Sequence, residues 1–157
     1  MKEIRFLVVG LLAMVFTSVS VFGYSGGSGI EADPYLIDNK ADLLELGATT
    51  SDYGKCFKMT SDIDLSSENF TMAVIAMDTN GVDYEFQGTG FSGGFDGNGC
   101  KILNLLIDGG TTNDYIGLFG YLYADAEVKN LGVVDCNVNG DYYVGGLFGW
   151  TAGSILS

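Results

Sequence analysis

The apolar residues of this chain come in short alternating groups that repeatedly lose phase. In one stretch the apolar positions are Val128, then Leu131 and Val133, then Cys136 and Val138. A single long strand would hold a period of two throughout, but here the phase slips at Asn130 and again around Asp135. A helix fits no better, because Gly132, Gly140 and the β-branched residues oppose one. Short strands joined by corners do fit, with each corner resetting which parity points inward. Ile102, Leu105, Ile107, Val128, Leu131, Val133 and Val138 are accordingly expected to face a core. Phe57-x-Met59 and Ile63-x-Leu65 show the same texture earlier in the chain.

The groups also recur. Tyr115-Ile116-Gly117-Leu118-Phe119-Gly120-Tyr121 returns as Val144-Gly145-Gly146-Leu147-Phe148-Gly149-Trp150, 29 residues on when counted from Gly117 to Gly146. Val128-Lys129-Asn130-Leu131-Gly132-Val133 echoes Ile102-Leu103-Asn104-Leu105-Leu106-Ile107, with 26 residues between Asn104 and Asn130. A third echo begins at Ser154-Ile155-Leu156-Ser157. Such self-similarity marks repeat architectures, and units of roughly 23 to 29 residues holding about three short strands describe coils of a parallel β-helix. The expected fold class is all-β, a right-handed parallel β-helix (solenoid) of about four coils. Leu118 should then lie over Leu147, and Tyr121 over Trp150.

One helix is expected. Asn39 reads as its N-cap with Asp42 at N3, followed by an apolar stripe to Leu46 and a stop at Gly47. Its leucines need a partner, and the open end of a stack of strands supplies one, so this is a short N-terminal capping helix. Pro34 to Ile37 reads as a strand, Tyr24 to Gly29 as a Gly/Ser linker without structure of its own, and Asp78 to Ser92 as a loop excursion.

The N-terminus changes the picture of where the chain works. Lys2 and Arg5 precede a run from Phe6 to Phe22 that is apolar apart from Gly10, Thr17, Ser18 and Ser20, and Val21-Phe22-Gly23 is a small-residue cleavage context. Residues 1–23 are predicted to be a secretory signal peptide, and the competing reading is a retained membrane anchor. Residues 24–29 are the linker, and residues 30–157 form the β-helix domain. No equivalent of the capping helix follows Ile155, so the chain is expected to be truncated at its C-terminus and prone to end-to-end self-association.

Charge narrows the partners. Residues 1–23 hold Lys2, Arg5 and Glu3 of the chain's 7 basic and 20 acidic residues, which leaves 5 against 19 and a net charge of −14. Nucleic acid is excluded by the lack of clustered cations. Without histidine, Ser-His and Cys-His nucleophile pairs and HExxH zinc sites are excluded as well. Cys56, Cys100 and Cys136 allow at most one intramolecular disulfide, and they are expected to stay unpaired.

Gly145-Gly146-Leu147-Phe148-Gly149 with Gly153-Ser154-Ile155 resembles the start of a GLUG-motif repeat. Phe95-Asp96-Gly97-Asn98-Gly99-Cys100-Lys101-Ile102 and Phe57-Lys58-Met59-Thr60-Ser61-Asp62-Ile63-Asp64-Leu65 are similar to segments that precede such repeats in exported bacterial proteins. The resemblance covers nearly all of Ser28 to Ser157. GLUG repeats occur beside IgA-cleaving metalloproteases and in large adhesin-like surface proteins. The resemblance thus implies a non-catalytic, exported region at the cell surface.

Three sets of residues are candidates for a role. Asn104 and Asn130 are expected to form an internal ladder, each amide bonding its copy in the next coil. Tyr121, Trp150, Tyr115 and Tyr143 are the candidate glycan-facing aromatics, with nearby carboxylates to accept from sugar hydroxyls. Asp78-Thr79-Asn80-Gly81-Val82-Asp83 and Asp96-Gly97-Asn98 have calcium-like oxygen spacing, but neither completes an EF-hand loop and Asx turns explain both. No cofactor is therefore expected, with calcium as the lesser reading. The preferred function is a structural or adhesive surface module that meets an extracellular glycan or protein. The alternative is part of a polysaccharide-active or peptidase protein whose catalytic domain lies downstream.

Overall fold

A computed structural model describes residues 23–81 and 84–156. The signal-peptide reading therefore lies outside the described residues, except at Gly23. Val82, Asp83 and Ser157 lie outside them too.

The fold is all-β with one α-helix. In chain order the elements are β1 (Tyr35–Ile37), α1 (Lys40–Ala48), a 3-10 turn (Thr50–Asp52), β2 (Cys56–Met59), β3 (Ile63–Asp64), β4 (Gly94–Asp96), β5 (Lys101–Leu103) and β6 (Leu106–Asp108). They continue with β7 (Phe119–Leu122), β8 (Glu127–Lys129), β9 (Gly132–Val134), β10 (Asn137–Asn139), β11 (Phe148–Thr151) and β12 (Ser154–Leu156). Their strand pairings are all parallel and build four sheets: β1-β2-β4-β8-β12, β3-β5-β9, β6-β10 and β7-β11.

Register is strict along the longest sheet. Tyr35 pairs with Phe57, Phe57 with Phe95, Phe95 with Val128 and Val128 with Ile155. The intervals are thus 22, 38, 33 and 27 residues, a wider spread than the sequence suggests. The excess length leaves through loops, above all residues 65–93, while the paired strands keep their places. Phe57, Phe95 and Val128 are buried in one core with Ile63, Ile102, Leu105, Ile107, Leu118 and Phe119, so the inner faces of all four sheets meet there.

The corners explain the slips of phase. Asn98, Asn104, Asn130 and Asp135 all have φ between 52° and 56°. Asn and Asp tolerate this left-handed conformation better than other side chains. It turns the chain between two short strands, after which the next apolar residue again faces inward. The Leu-Phe-Gly phrases have a different need. A Cβ on Gly120 would lie 2.3 Å from the Ala76 carbonyl oxygen, and one on Gly149 would lie 2.5 Å from the Tyr115 carbonyl carbon.

Helix α1 is capped as its sequence predicts. The Asn39 side chain accepts from the Asp42 amide at 3.1 Å. Leu43 and Leu46 are fully buried against the core. The stretch from Tyr24 to Gly29 is more than a linker. Leu36 donates its amide to the Gly26 carbonyl at 2.8 Å, the Ser25 amide returns to the Leu36 carbonyl at 3.2 Å, and Tyr24 packs on Tyr35 with ring centroids 4.4 Å apart. Tyr53 ties the far end of the helix to the loop, its hydroxyl donating to Gly47 O at 2.8 Å and accepting from the Ala76 amide at 3.0 Å.

Candidate functional site

The two Leu-Phe-Gly phrases fix an aromatic column. Phe119 pairs with Phe148 and Tyr121 with Trp150 in the β7-β11 ladder. Tyr121 stacks on Trp150 at 4.4 Å and 23°. Phe86, from the loop after β3, stacks on Tyr121 with the same spacing and angle. Two near-parallel rings at that distance from a third must occupy its opposite faces. Both faces of Tyr121 are therefore covered, and Tyr115 and Tyr123 approach it from the side.

A second stack stands at a neighbouring corner. Tyr115 and Tyr143 lie 4.7 Å apart at 19°, with φ of 54° and 55°. A left-handed backbone is strained for a bulky residue, and the strain here recurs in two successive turns of chain. The stacked rings and the bond from the Tyr115 amide to the Tyr142 carbonyl, at 3.0 Å, hold it in place. Tyr115 is only 6% exposed and its hydroxyl donates to Tyr84 O at 2.9 Å. Burial pushes the Tyr115 and Tyr121 phenols up.

These facts correct the expectation for two of the four candidate aromatics. An aromatic residue can hold a sugar only through a free ring face. Tyr121 has none and Tyr115 is buried, because both rings serve packing between turns of chain. Trp150, half-buried, and Tyr143, exposed, keep part of their surface in solvent.

The asparagine ladder is corrected as well. Asn104 follows β5 and Asn130 follows β8, so they occupy corners of different sheets and do not pair. In register, Leu103 pairs with Val134, which sets Asn104 beside Asp135. Each amide instead reaches a carboxylate of the preceding turn. Asn104 Nδ2 donates to Asp64 Oδ1 at 2.9 Å, Asn130 Nδ2 to Asp96 Oδ1 at 3.0 Å, and Asn139 Nδ2 to Asp108 Oδ1 at 2.9 Å. The same Oδ1 atoms accept from the amides of Ser66, Asn98 and Gly110. Every such Asp thus closes its own Asx turn and latches the next turn of chain. Asparagine bonds hold the Asp64 and Asp108 carboxyls below their ordinary range. For Asp96 burial pulls upward, but Asn130, Asn98 and the nearby Lys129 and Lys58 outweigh it.

The calcium-like segments do similar work. Asp78 Oδ1 accepts from the Gln87 amide at 2.9 Å and the Asn80 amide at 3.3 Å, closing the loop. Asp83 lies outside the described residues. No group of three or more Asp, Glu or Cys among the described residues is placed to hold a metal. The thiols of Cys56, Cys100 and Cys136 are unpaired.

A charged groove of about 580 Å³ lies on the outer face of the longest sheet. One outward row along the ladder is Cys56, Gly94, Glu127, and the next is Lys58, Asp96, Lys129. Glu31, Pro34 and Asp125 also line the groove. Lys129 Nζ bonds Glu127 Oε1 at 2.6 Å, and this carboxylate, with Asp96 and Glu31 near, holds the ammonium above its ordinary range. The sequence reading passes over this groove because its residues are nearly a hundred positions apart. One signal was available: a charged residue directly follows the inward residue on three strands of this ladder, in Phe57-Lys58, Phe95-Asp96 and Val128-Lys129.

Among the described residues no helix is long and apolar enough to cross a membrane. No family model matches the chain, and no solved structure matches it. Two curated proteins are similar to it. Halomucin of Haloquadratum walsbyi is 35% identical over 141 residues, which is 85% of this chain and 2% of Halomucin. A protein of Evansella cellulosilytica, named as a Gly-rich membrane protein, is 28% identical over 156 residues, or 90% of this chain and 16% of that protein. The chain thus resembles a small part of each of two much longer proteins.

Proposed function

We propose that this chain is part of an exported surface protein, folded as a right-handed parallel β-helix of GLUG-like repeats. Its coils are a non-catalytic scaffold that presents an outer face to an extracellular glycan. The observation that carries this reading is the set of four parallel ladders. Strands of successive turns of chain pair in fixed register while the loops between them vary in length. A stack of that kind gives a long, stiff body from short repeats, each held only by its neighbours. Similarity to short parts of Halomucin and of a Gly-rich membrane protein supports a place within a long protein outside the cytoplasm. The apolar run from Phe6 to Phe22 supplies the route of export.

A tagged full chain expressed in a bacterial host tests this. It should leave the cytoplasm with an N-terminus at or near Tyr24 and bind members of a glycan array. Retention of the uncleaved chain in the cytoplasm overturns the export half. An array without a single reproducible ligand overturns the glycan half.

A further inference from the structure

We infer that the groove over Gly94 is the glycan site, and that it takes a neutral, hydroxyl-rich oligosaccharide rather than an acidic one. This inference rests on the glycan reading above and adds a place and a class of sugar to it.

Gly94 carries the first step. Glycine inside a strand weakens it, and its usual reasons are a special backbone angle, a crowded neighbour or the close approach of a ligand. Gly94 has no positive φ. A Cβ there would meet only Cys56 Sγ, at an ordinary 3.6 Å. Gly93 beside it is different, since its Cβ would fall 2.0 Å from the Lys55 carbonyl oxygen. The fold therefore requires Gly93 and leaves Gly94 unexplained. What Gly94 does provide is a bare floor in the groove, between the side chains of Cys56 and Glu127 on the adjacent strands.

The floor also has a fixed shape. The groove crosses β2, β4 and β8, so its polar groups repeat at the strand spacing of about 4.8 Å. That is close to the length of one pyranose unit in an extended glycan. Since Lys58, Asp96, Glu127 and Lys129 stand on paired strands, the floor is set before any ligand arrives.

Charge selects the class. Lys58, Asp96 and Lys129 alternate along one row, and Lys129 is already held by Glu127 at 2.6 Å. Glu31 and Asp125 add two more carboxylates to the lining. Ammonium donors and carboxylate acceptors both lie within reach of hydroxyl groups, which donate and accept in turn. A uronic acid or sulfated sugar would meet surplus negative charge in a chain that is itself strongly acidic. The sugars excluded are thus those that a polyuronate lyase would act on.

The test uses the full chain on an array of neutral, N-acetylated, uronic-acid and sulfated oligosaccharides, followed by calorimetry with the best ligand. Gly94→Thr fills the floor with a residue that strands favour. It should leave the melting temperature in place and weaken binding roughly ten- to hundredfold. Glu127→Gln with Asp125→Asn, which does not alter the floor, should also weaken binding. Trp150→Ala should change it less than about twofold. Neutral or N-acetylated ligands are expected to win. If binding survives both groove variants but falls in Trp150→Ala, glycan recognition stands and the groove assignment is overturned. If acidic sugars bind best, the class is overturned. If the array yields no ligand, the glycan reading itself fails.

Discussion

The turn of chain from β4 to β7 and the one from β8 to β11 carry the same pattern but are buried differently. Ile102 pairs with Val133, Ile107 with Val138 and Phe119 with Phe148. The first member of each pair is at most 1% exposed, while the second is only half-buried. The inner turn has neighbours on both sides, through β2, β3, Phe70 and Ile75 on one and β8 to β11 on the other. Val128 shows the cause. It belongs to the outer turn, yet β12 covers it as β4 does, and it is 1% exposed. Burial here is conferred by the adjacent strands and not by a residue's own segment.

The largest expected effect tests that difference directly. Phe119→Ala removes a ring from a site closed on both sides and should cost about 3–5 kcal/mol in urea unfolding. Phe148→Ala makes the same chemical change in a half-open site, where water already reaches the ring, and should cost less than half as much. Equal losses would show that the two turns are packed alike and would break the comparison.

Next in size is Tyr53→Phe. Its hydroxyl both donates to Gly47 O and accepts from the Ala76 amide, and the residue is buried. Removing it leaves a buried carbonyl and a buried amide without that partner, at a cost of about 1–3 kcal/mol. The loss should come with faster amide exchange at Ala76 and unchanged exchange at Val133. A change at both would mean that the turn holding Ala76 and the outer turn open as one unit.

The sequence made the local devices legible and left the long-range ones hidden. Phase slips at Asn130 and Asp135 located left-handed corners, and the Asn39 to Asp42 spacing located a helix cap, because each depends on a few adjacent residues. The return of Leu-Phe-Gly gave the Phe119–Phe148 register, since bulky inward residues with a close-packed glycine tolerate little variation. The Asn104 and Asn130 echo misled for a related reason. Several corners make the same demand, a left-handed residue followed by an inward one, as at Asn104, Tyr115 and Asn130. Similar phrases therefore report corner chemistry and not which sheet a strand joins. Neither the groove nor the closure of Phe86 over Tyr121 leaves a periodic trace, as both arise only when distant segments are brought side by side.

The smallest effect expected concerns the latches, two of which tie the inner turn to the outer. Asp96 accepts from Asn130 and Asp108 from Asn139. Both carboxyls are held below their ordinary range in the folded chain. A depressed carboxyl contributes stability that is fully present above the unfolded value of about 3.9 and lost as pH falls through the folded value. Acid also relieves the self-repulsion of this strongly negative chain, which acts in the opposite direction. The raw change of stability with pH therefore mixes two effects of opposite sign. Comparing the chain with an Asn130→Ala, Asn139→Ala variant separates them, because the net charge is the same in both. The natural chain should be the more stable at pH 6, and its lead should shrink as the pH drops below about 4. Amide exchange should place the loss at Gly132 to Asn139 before Lys101 to Asp108. A lead that stays constant from pH 6 to pH 3 would mean that the two asparagines stabilise the turns without help from the charge of their partners.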